Sequence, residues 1–374
     1  MKQSAYVMSQ VQSIREAFAE ASSFLEEQGA HEPQRSAQLL LEHVLGLSGA
    51  AYYMALFDPF PAEKRADWEA AVTRRGRGEP AQYIIGEQEF YGRPFEVTPD
   101  VLIPRPETEL LVEAVLRYAC ELWPAGVKAG AGASAESGPG RAPADCAQAD
   151  CAPADRASVD HSEANRSSRG SGSRSVGSSG CGDDGAPLPS ADAAPALIPV
   201  GGSAPVPLTA VDIGAGSGAI GVTLAAEAPA WRVLAGDISP AALAVAGRNA
   251  RRLGAAVEFR LGDLLEPFQD LAVDILVSNP PYIPGGTIAG LQREVRDYEP
   301  RTALDGGADG LDPYRRMLEQ LALLPAPPRL VGFELGLGQA GEVAALLRAR
   351  GHWNEIVTVN DLAGIPRHVI GLSR

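Results

Sequence analysis

The chain is poor in cysteine, short of basic charge and without a long apolar run, and each shortage removes a class of function. Four cysteines among 374 residues supply no disulfide framework. Three of them, Cys146, Cys151 and Cys181, fall in a low-complexity stretch without metal-ligand spacing, so free thiols are expected and no metal site. Lys and Arg number 32 against 47 Asp and Glu, for a net charge of -15. Phosphate contacts dominate non-specific affinity for nucleic acid, so a chain this acidic is a poor partner for free DNA or an anionic membrane. No apolar stretch is long enough to span a bilayer, and Met1-Lys2-Gln3-Ser4 opens without an apolar signal core. The expectation is a soluble, cytoplasmic, monomeric protein that contacts neither membrane nor DNA directly.

What is present falls into four stretches. Residues 1–90 carry helical periodicity: Val11, Ile14, Phe18, Ala21 and Leu25 form one stripe ended by Gly29. Ala37, Leu40, Leu41, Val44 and Leu45 form a second stripe, closed by Gly46, and a third helix is predicted over Ala62 to Arg75. These stripes are core packing of a small helical domain, of the kind that docks a substrate beside a catalytic domain. In residues 91–123 the pattern changes. Phe90 to Val97 and Val101 to Ile103 read as two short strands joined near Thr98-Pro99-Asp100. Pro104-Arg105-Pro106-Glu107-Thr108-Glu109 then opens a helix, with Arg105 and Glu107 fixed in direction by the flanking prolines and Thr108 a candidate cap.

Residues 124–206 are low-complexity. From Ala125 to Gly180 there is no aromatic residue and no Leu, Ile or Met. Such a stretch cannot bury enough apolar surface to offset its ordering entropy, so it is expected to be a disordered insertion. Nine acidic against six basic residues between Ala125 and Pro205 also make it unsuited to serve as a nucleic-acid arm.

From residue 207 to 374 apolar runs alternate with helical segments. Strands are predicted at Leu208–Ile213, Arg232–Ala235, Val257–Arg260, Asp274–Val277, Leu330–Phe333, Ile356–Val359 and His368–Leu372. Ser239 should cap a helix with Pro240 at its first position. Alternation of this kind implies an α/β fold with a parallel sheet covered by helices.

The most informative residues are Asn279-Pro280-Pro281-Tyr282, which follow the apolar run Val273 to Ser278. They place a side-chain amide at a strand's carboxyl end, where open α/β sheets build their sites. Asn offers a carbonyl acceptor beside its two N–H donors. The prolines stiffen the backbone and leave only carbonyl acceptors. Tyr282 adds a flat face. Together they form a clamp for a planar NH2 and suit methylation of an amide or of an exocyclic amine.

Other strand ends carry matching groups. Asp212-Ile213-Gly214-Ala215-Gly216-Ser217-Gly218 makes a glycine-rich turn, which alone is compatible with NAD, FAD or nucleotide sites. Asp237 ends the next strand, where a carboxylate can accept from ribose hydroxyls. Asp263 ends the third, positioned for an adenine amino group, with Leu264 packing on the base.

The order of glycine turn, Asp, Asp and Asn-Pro-Pro-Tyr resembles the class I S-adenosylmethionine-dependent methyltransferases that act on amide or amine nitrogen. Asn279–Tyr282 alone does not separate protein-glutamine methylation from N6-adenine DNA methylation. Gly78-Glu79-Pro80-Ala81-Gln82-Tyr83, Phe90-Tyr91-Gly92, Leu102-Ile103-Pro104-Arg105-Pro106-Glu107-Thr108-Glu109, Tyr298-Glu299-Pro300-Arg301 and Phe333-Glu334-Leu335-Gly336 resemble the HemK/PrmC-type release factor glutamine methyltransferases. The resemblance covers residues 5–123 and 207–374. It implies a Rossmann-like sheet, mostly parallel with an antiparallel last strand, preceded by an all-helical N-terminal domain. It implies S-adenosyl-L-methionine as methyl donor and the glutamine of the Gly-Gly-Gln loop of class I peptide chain release factors as substrate. Gly214, Ala215, Gly216, Ser217, Gly218, Asp237, Asp263, Leu264 and Asn279 are then expected to bind the cofactor. Asn279, Pro280, Pro281 and Tyr282 are expected to hold the glutamine, with Asn279, Pro280 and Tyr282 catalytic. Arg105 and Glu107 are expected to shape the substrate entrance.

Overall fold

Local capping sets the helical boundaries of the amino-terminal third. In the computed structural model, which describes residues 5–10, 13–124 and 206–374, Ser13 and Glu16 form a reciprocal capping box that starts α1 (Ile14–Glu27). The low-complexity segment read as an insertion lies outside the described residues except for its end residues, as do Val11, Cys146, Cys151 and Cys181. Helix α2 (Pro33–Leu45) has proline in its first turn and ends on Gly46 at φ 65°, the left-handed conformation glycine adopts without strain. Three further helices follow, α3 (Gly49–Ala55), α4 (Arg65–Gly76) and α5 (Ala81–Ile85). The predicted stripes meet in one core, where Ala21, Leu25, Leu40, Leu41 and Val72 pack around the fully buried Trp68.

Arg75 shows how this bundle is tied down. Its guanidinium is buried and donates to Ser36 Oγ at 3.0 Å and to the His31 carbonyl at 3.0 Å. It also pairs with Glu294 at 3.2 Å. A buried cation needs this full complement of acceptors.

The hairpin differs from the expectation. It pairs β1 (Glu87–Phe90) with β2 (Arg93–Glu96), turning at Tyr91 (φ 53°) and Gly92 (φ 69°), as a tight two-residue hairpin loop requires. Val101-Leu102-Ile103 is not a strand. Pro104 and Pro106 just beyond it remove backbone donors, and Val101 and Ile103 are instead buried against Tyr83, Val97 and Val245. Pro106 then occupies the first turn of α6 (Pro106–Leu122).

The seven-stranded sheet is built from β3 (Thr209–Ile213), β4 (Arg232–Asp237), β5 (Val257–Leu261), β6 (Ile275–Ser278), β7 (Leu330–Glu334), β8 (Glu355–Asn360) and β9 (Pro366–Leu372). Its order is β5-β4-β3-β6-β7-β9-β8. β5 through β7 run parallel, and β9, the last strand in the chain, is antiparallel to both of its neighbours. Side chains alternate between the two faces. Ala210, Ile275, Val277 and Leu330 pack with α6 and with α7 (Ala219–Glu227). Val211, Ile213, Leu276, Val331 and Phe333 pack against α10 (Asp312–Gln320) and α11 (Ala340–Arg350). With both faces buried, the central strands read as unbroken apolar runs. The remaining helices are α8 (Pro240–Arg252), capped by Ser239 accepting from the Ala242 N–H as predicted, and α9 (Arg293–Tyr298). Among the described residues no helix is long and apolar enough to cross a membrane.

Candidate active site

The chain leaves β3 toward β4 and β5 on one side of the sheet and returns to β6 on the other. The carboxyl ends of β3 and β6 therefore diverge, and a crevice opens where the strand order reverses. A cleft of ≈ 660 Å³ lies there. Gly214, Ala215, Gly216 and Ser217 line it, as do Asp237, Asp263, Leu264, Asn279 and Pro281. Four strand ends far apart in sequence are thus brought to one cavity. Gly218, Pro280, Tyr282 and Glu107 are not among its lining residues.

The glycine turn is held tightly. The Gly214 and Ala215 N–H groups both donate to the Gly236 carbonyl at 2.9 Å. Gly218, at φ +83°, begins α7, and a Cβ there would lie 3.1 Å from Ala246 Cβ. The buried Asn249 braces the turn from behind, donating to the Ser217 carbonyl at 2.9 Å and to the Glu96 carbonyl at 3.0 Å. No sequence pattern singled out Asn249.

Asp237 accepts two backbone N–H groups, from Gly216 at 2.9 Å and from Ser239 at 2.8 Å. Each carboxylate oxygen keeps a further lone pair for a ligand. Asp263 is ion-paired with Arg316 of α10, which itself lines the cleft. Beside Asp237, Ile238 lines the same cleft with 63% of its surface exposed. Leu264 lines the cleft as well, and each offers it an apolar surface. Sequence reasoning missed Ile238, because a lone apolar residue after a strand has no periodic partner.

Asn279 donates through Nδ2 to Thr108 Oγ1 at 3.2 Å. Among the described residues no hydrogen bond reaches the carbonyl of Pro280, which is itself buried. The Tyr282 segment is clamped from the other side. Gln339 Nε2 donates to the Tyr282 carbonyl at 3.0 Å, and a Cβ on Gly336 would sit 3.1 Å from the Tyr282 ring. Gly310, at φ +81°, lies so close to the Tyr282 carbonyl that no side chain fits. Burial pushes the Tyr282 phenol up, with Glu334 adding and Arg105 opposing, so the ring stays neutral. Arg105 lines the cleft and pairs at 2.6 Å with Glu299, whose side chain is almost fully enclosed.

Asp212, at the end of β3, is enclosed completely. Its Oδ2 accepts from the Gly221 N–H at 2.9 Å, and among the described residues its Oδ1 has no partner. Burial pushes its carboxyl from the ordinary 3.8 up to about 7, with the Gly221 bond opposing and Asp237 adding. The folded protein therefore keeps this proton to higher pH than the unfolded chain does. This group's contribution to stability must fall as pH rises from about 4 to about 7. Asp212→Asn keeps an acceptor for Gly221, and the burial cost of its own amide is independent of pH. Across that window the wild type should lose stability relative to the variant, by on the order of 4 kcal/mol at most. Thermal melting of both proteins at about pH 5 and about pH 8 checks this; parallel curves would refute it.

Sequence comparison fits this architecture. Residues 16–86 match the PrmC N-terminal domain, and residues 204–293 match the methyltransferase small domain. The chain is 33% identical over 362 residues to the release factor glutamine methyltransferase of Geobacter sulfurreducens, covering 97% of each. It is 34% identical over 359 residues to that of Koribacter versatilis, covering 96% of this chain and 98% of the relative. The Bacillus subtilis enzyme of the same name is 34% identical over 364 residues, covering 97% and 98%. Fold and cleft define a methyltransferase with a helical amino-terminal domain. The chain belongs to the release factor glutamine methyltransferase family.

Proposed function

We propose that this methyltransferase uses S-adenosyl-L-methionine to methylate the side-chain amide nitrogen, N5, of the glutamine in the Gly-Gly-Gln loop of class I peptide chain release factors. The observation that carries the reading is the placement of Asn279 in one cleft with the glycine turn and Asp237. The donor set suits the cofactor. Gly214 to Gly218 would hold its methionine portion, Asp237 the ribose hydroxyls, and Asp263 the adenine amino group between the apolar surfaces of Ile238 and Leu264. The Arg316 ion pair would have to release or share Asp263 for that contact.

When bound, the cofactor supplies a methyl group activated by its sulfonium. An amide nitrogen is a poor nucleophile because its lone pair is delocalised into the carbonyl, so positioning must contribute most of the rate. Asn279 Oδ1 and the Pro280 carbonyl accept the two amide hydrogens and aim the nitrogen. As the nitrogen takes the methyl group from the sulfonium, electron density leaves the NH2 and these acceptors bind it more strongly than in the ground state; the methylated nitrogen then loses one proton to solvent. Tyr282, held by Gln339 and Gly336, is assigned the packing face for the amide plane. Pro281 keeps the segment stiff, and Arg105 and Glu107 are assigned to the substrate entrance. No metal takes part in this scheme, and a monomer acting in the cytoplasm suffices. N6-adenine methylation of DNA, which Asn279–Tyr282 alone left open, is not favoured, since the relatives are glutamine methyltransferases and the chain carries a net charge of -15.

The test is mass spectrometry of a purified release factor after incubation with the protein and S-adenosylmethionine. One methyl group on the Gly-Gly-Gln glutamine is the expected product. Cofactor binding without transfer to that residue would overturn the substrate assignment.

A further inference from the structure

We propose that Thr108 and Glu334 are positioning residues that set the polarity of the Asn279 amide, turning its Oδ1 acceptor toward the substrate nitrogen. The inference rests on the glutamine-methylating role of Asn279 given above and adds what makes that role possible. An asparagine side chain is nearly symmetric in shape, and a half-turn about its last bond exchanges a carbonyl oxygen for an NH2 group. A clamp for a substrate NH2 works with the oxygen forward and fails with the nitrogen forward, since two donors would then face each other.

Two buried groups, Glu334 and Thr108, remove the ambiguity. Glu334, at the end of β7 and 2% exposed, accepts through Oε2 from Thr108 Oγ1 at 2.5 Å. A carboxylate can only accept, so the single hydroxyl proton of Thr108 is committed to it. Thr108 Oγ1 is left with lone pairs alone, and only a donor can satisfy it. That donor is Asn279 Nδ2 at 3.2 Å. With its nitrogen drawn to Thr108, the amide of this cleft-lining residue has Oδ1 on the opposite side, and among the described residues no protein hydrogen bond reaches that oxygen.

The relay is anchored at both ends. Thr108, 4% exposed, sits in the first turn of α6, and the Tyr314 hydroxyl donates to the Glu334 backbone carbonyl at 2.7 Å. His368 of β9 closes the far side, with Nε2 3.8 Å from Glu334 Oε2. The low local dielectric makes each such bond strong and a reversed one costly.

Steady-state kinetics of the full chain on a purified release factor tests the relay. Thr108→Val keeps the shape and deletes the hydroxyl. It should lower kcat by on the order of 10-fold to 100-fold, less than loss of a direct acceptor, with KM for the release factor and cofactor affinity little changed. Thr108→Ser, which restores the hydroxyl, should recover most of the rate. In an Asn279→Ala background, Thr108→Val should cost nothing further, because there is no amide left to orient. A wild-type kcat for Thr108→Val overturns the proposal. So does an undiminished effect of Thr108→Val in the Asn279→Ala background. Should Thr108→Val fail to fold, Glu334→Gln decides. Its amide can donate as well as accept, permitting both polarities, so kcat should fall several-fold; an unchanged kcat sinks the relay. Failure of the underlying function reads out separately, as a wild-type protein that leaves the release-factor glutamine unmethylated.

Discussion

Replacing Asn279 by alanine should lower kcat on the release-factor glutamine by about 100-fold to 1000-fold, the cost of losing one preorganised partner of the developing charge. The alanine keeps the Pro280-Pro281 backbone and with it one of the two acceptors. The substrate NH2 then has one fixed contact rather than two, and it can rotate out of line with the incoming methyl. Cofactor affinity should stay within about a factor of three, because the glycine turn and Asp237 are untouched and Asn279 supplies only part of that wall. Single-turnover methylation measured beside calorimetric binding of S-adenosylhomocysteine separates the two effects. Wild-type turnover in this variant would refute the assigned mechanism. A large loss of cofactor affinity with normal saturated turnover would make Asn279 a cofactor residue instead.

Asp237→Ala is the second large effect, and it has two parts. The carboxylate accepts the Gly216 and Ser239 N–H groups, so its removal leaves two backbone donors without their partner. One belongs to the glycine turn and the other to the residue that caps α8. Loss of a charged acceptor costs about 1.5–3 kcal/mol per bond, less here because solvent reaches the cleft. Losing the ribose contact as well should weaken cofactor binding by on the order of 100-fold. At saturating cofactor, kcat should fall much less, since the proposed mechanism puts the reacting atoms beside Asn279 and not beside Asp237. Calorimetry on the variant and on Asp237→Asn, which retains one acceptor oxygen, divides the structural part from the ribose part. Unchanged affinity in Asp237→Ala would sink the ribose assignment.

The sequence by itself determined the elements and their chemical cargo. Val273 to Ser278 read as a buried strand, observed at Ile275–Ser278, with Asn279-Pro280-Pro281-Tyr282 at its carboxyl end, because apolar runs and prolines act within a few residues of themselves. The same locality set the Gly214–Gly218 turn, the Ser239-Pro240 helix start and the helical stripes around Trp68. Locality also explains the failure at Val101-Leu102-Ile103, whose apolar side chains serve a core formed with Tyr83 and Val245 rather than a second hairpin strand.

The tertiary structure alone decided which distant groups meet. Thr108 read as a helix cap, yet its hydroxyl reaches Glu334, 226 positions away, and accepts from Asn279, 171 positions away. Those contacts depend on β6 and β7 pairing in one register and on α6 packing across the sheet beside them. The Asp263–Arg316 pair and the bare face of Ile238 arise in the same way, from the position of α10 and the opening between β3 and β6. Periodicity reports which side of an element is buried; only the packed sheet order specifies what that side touches.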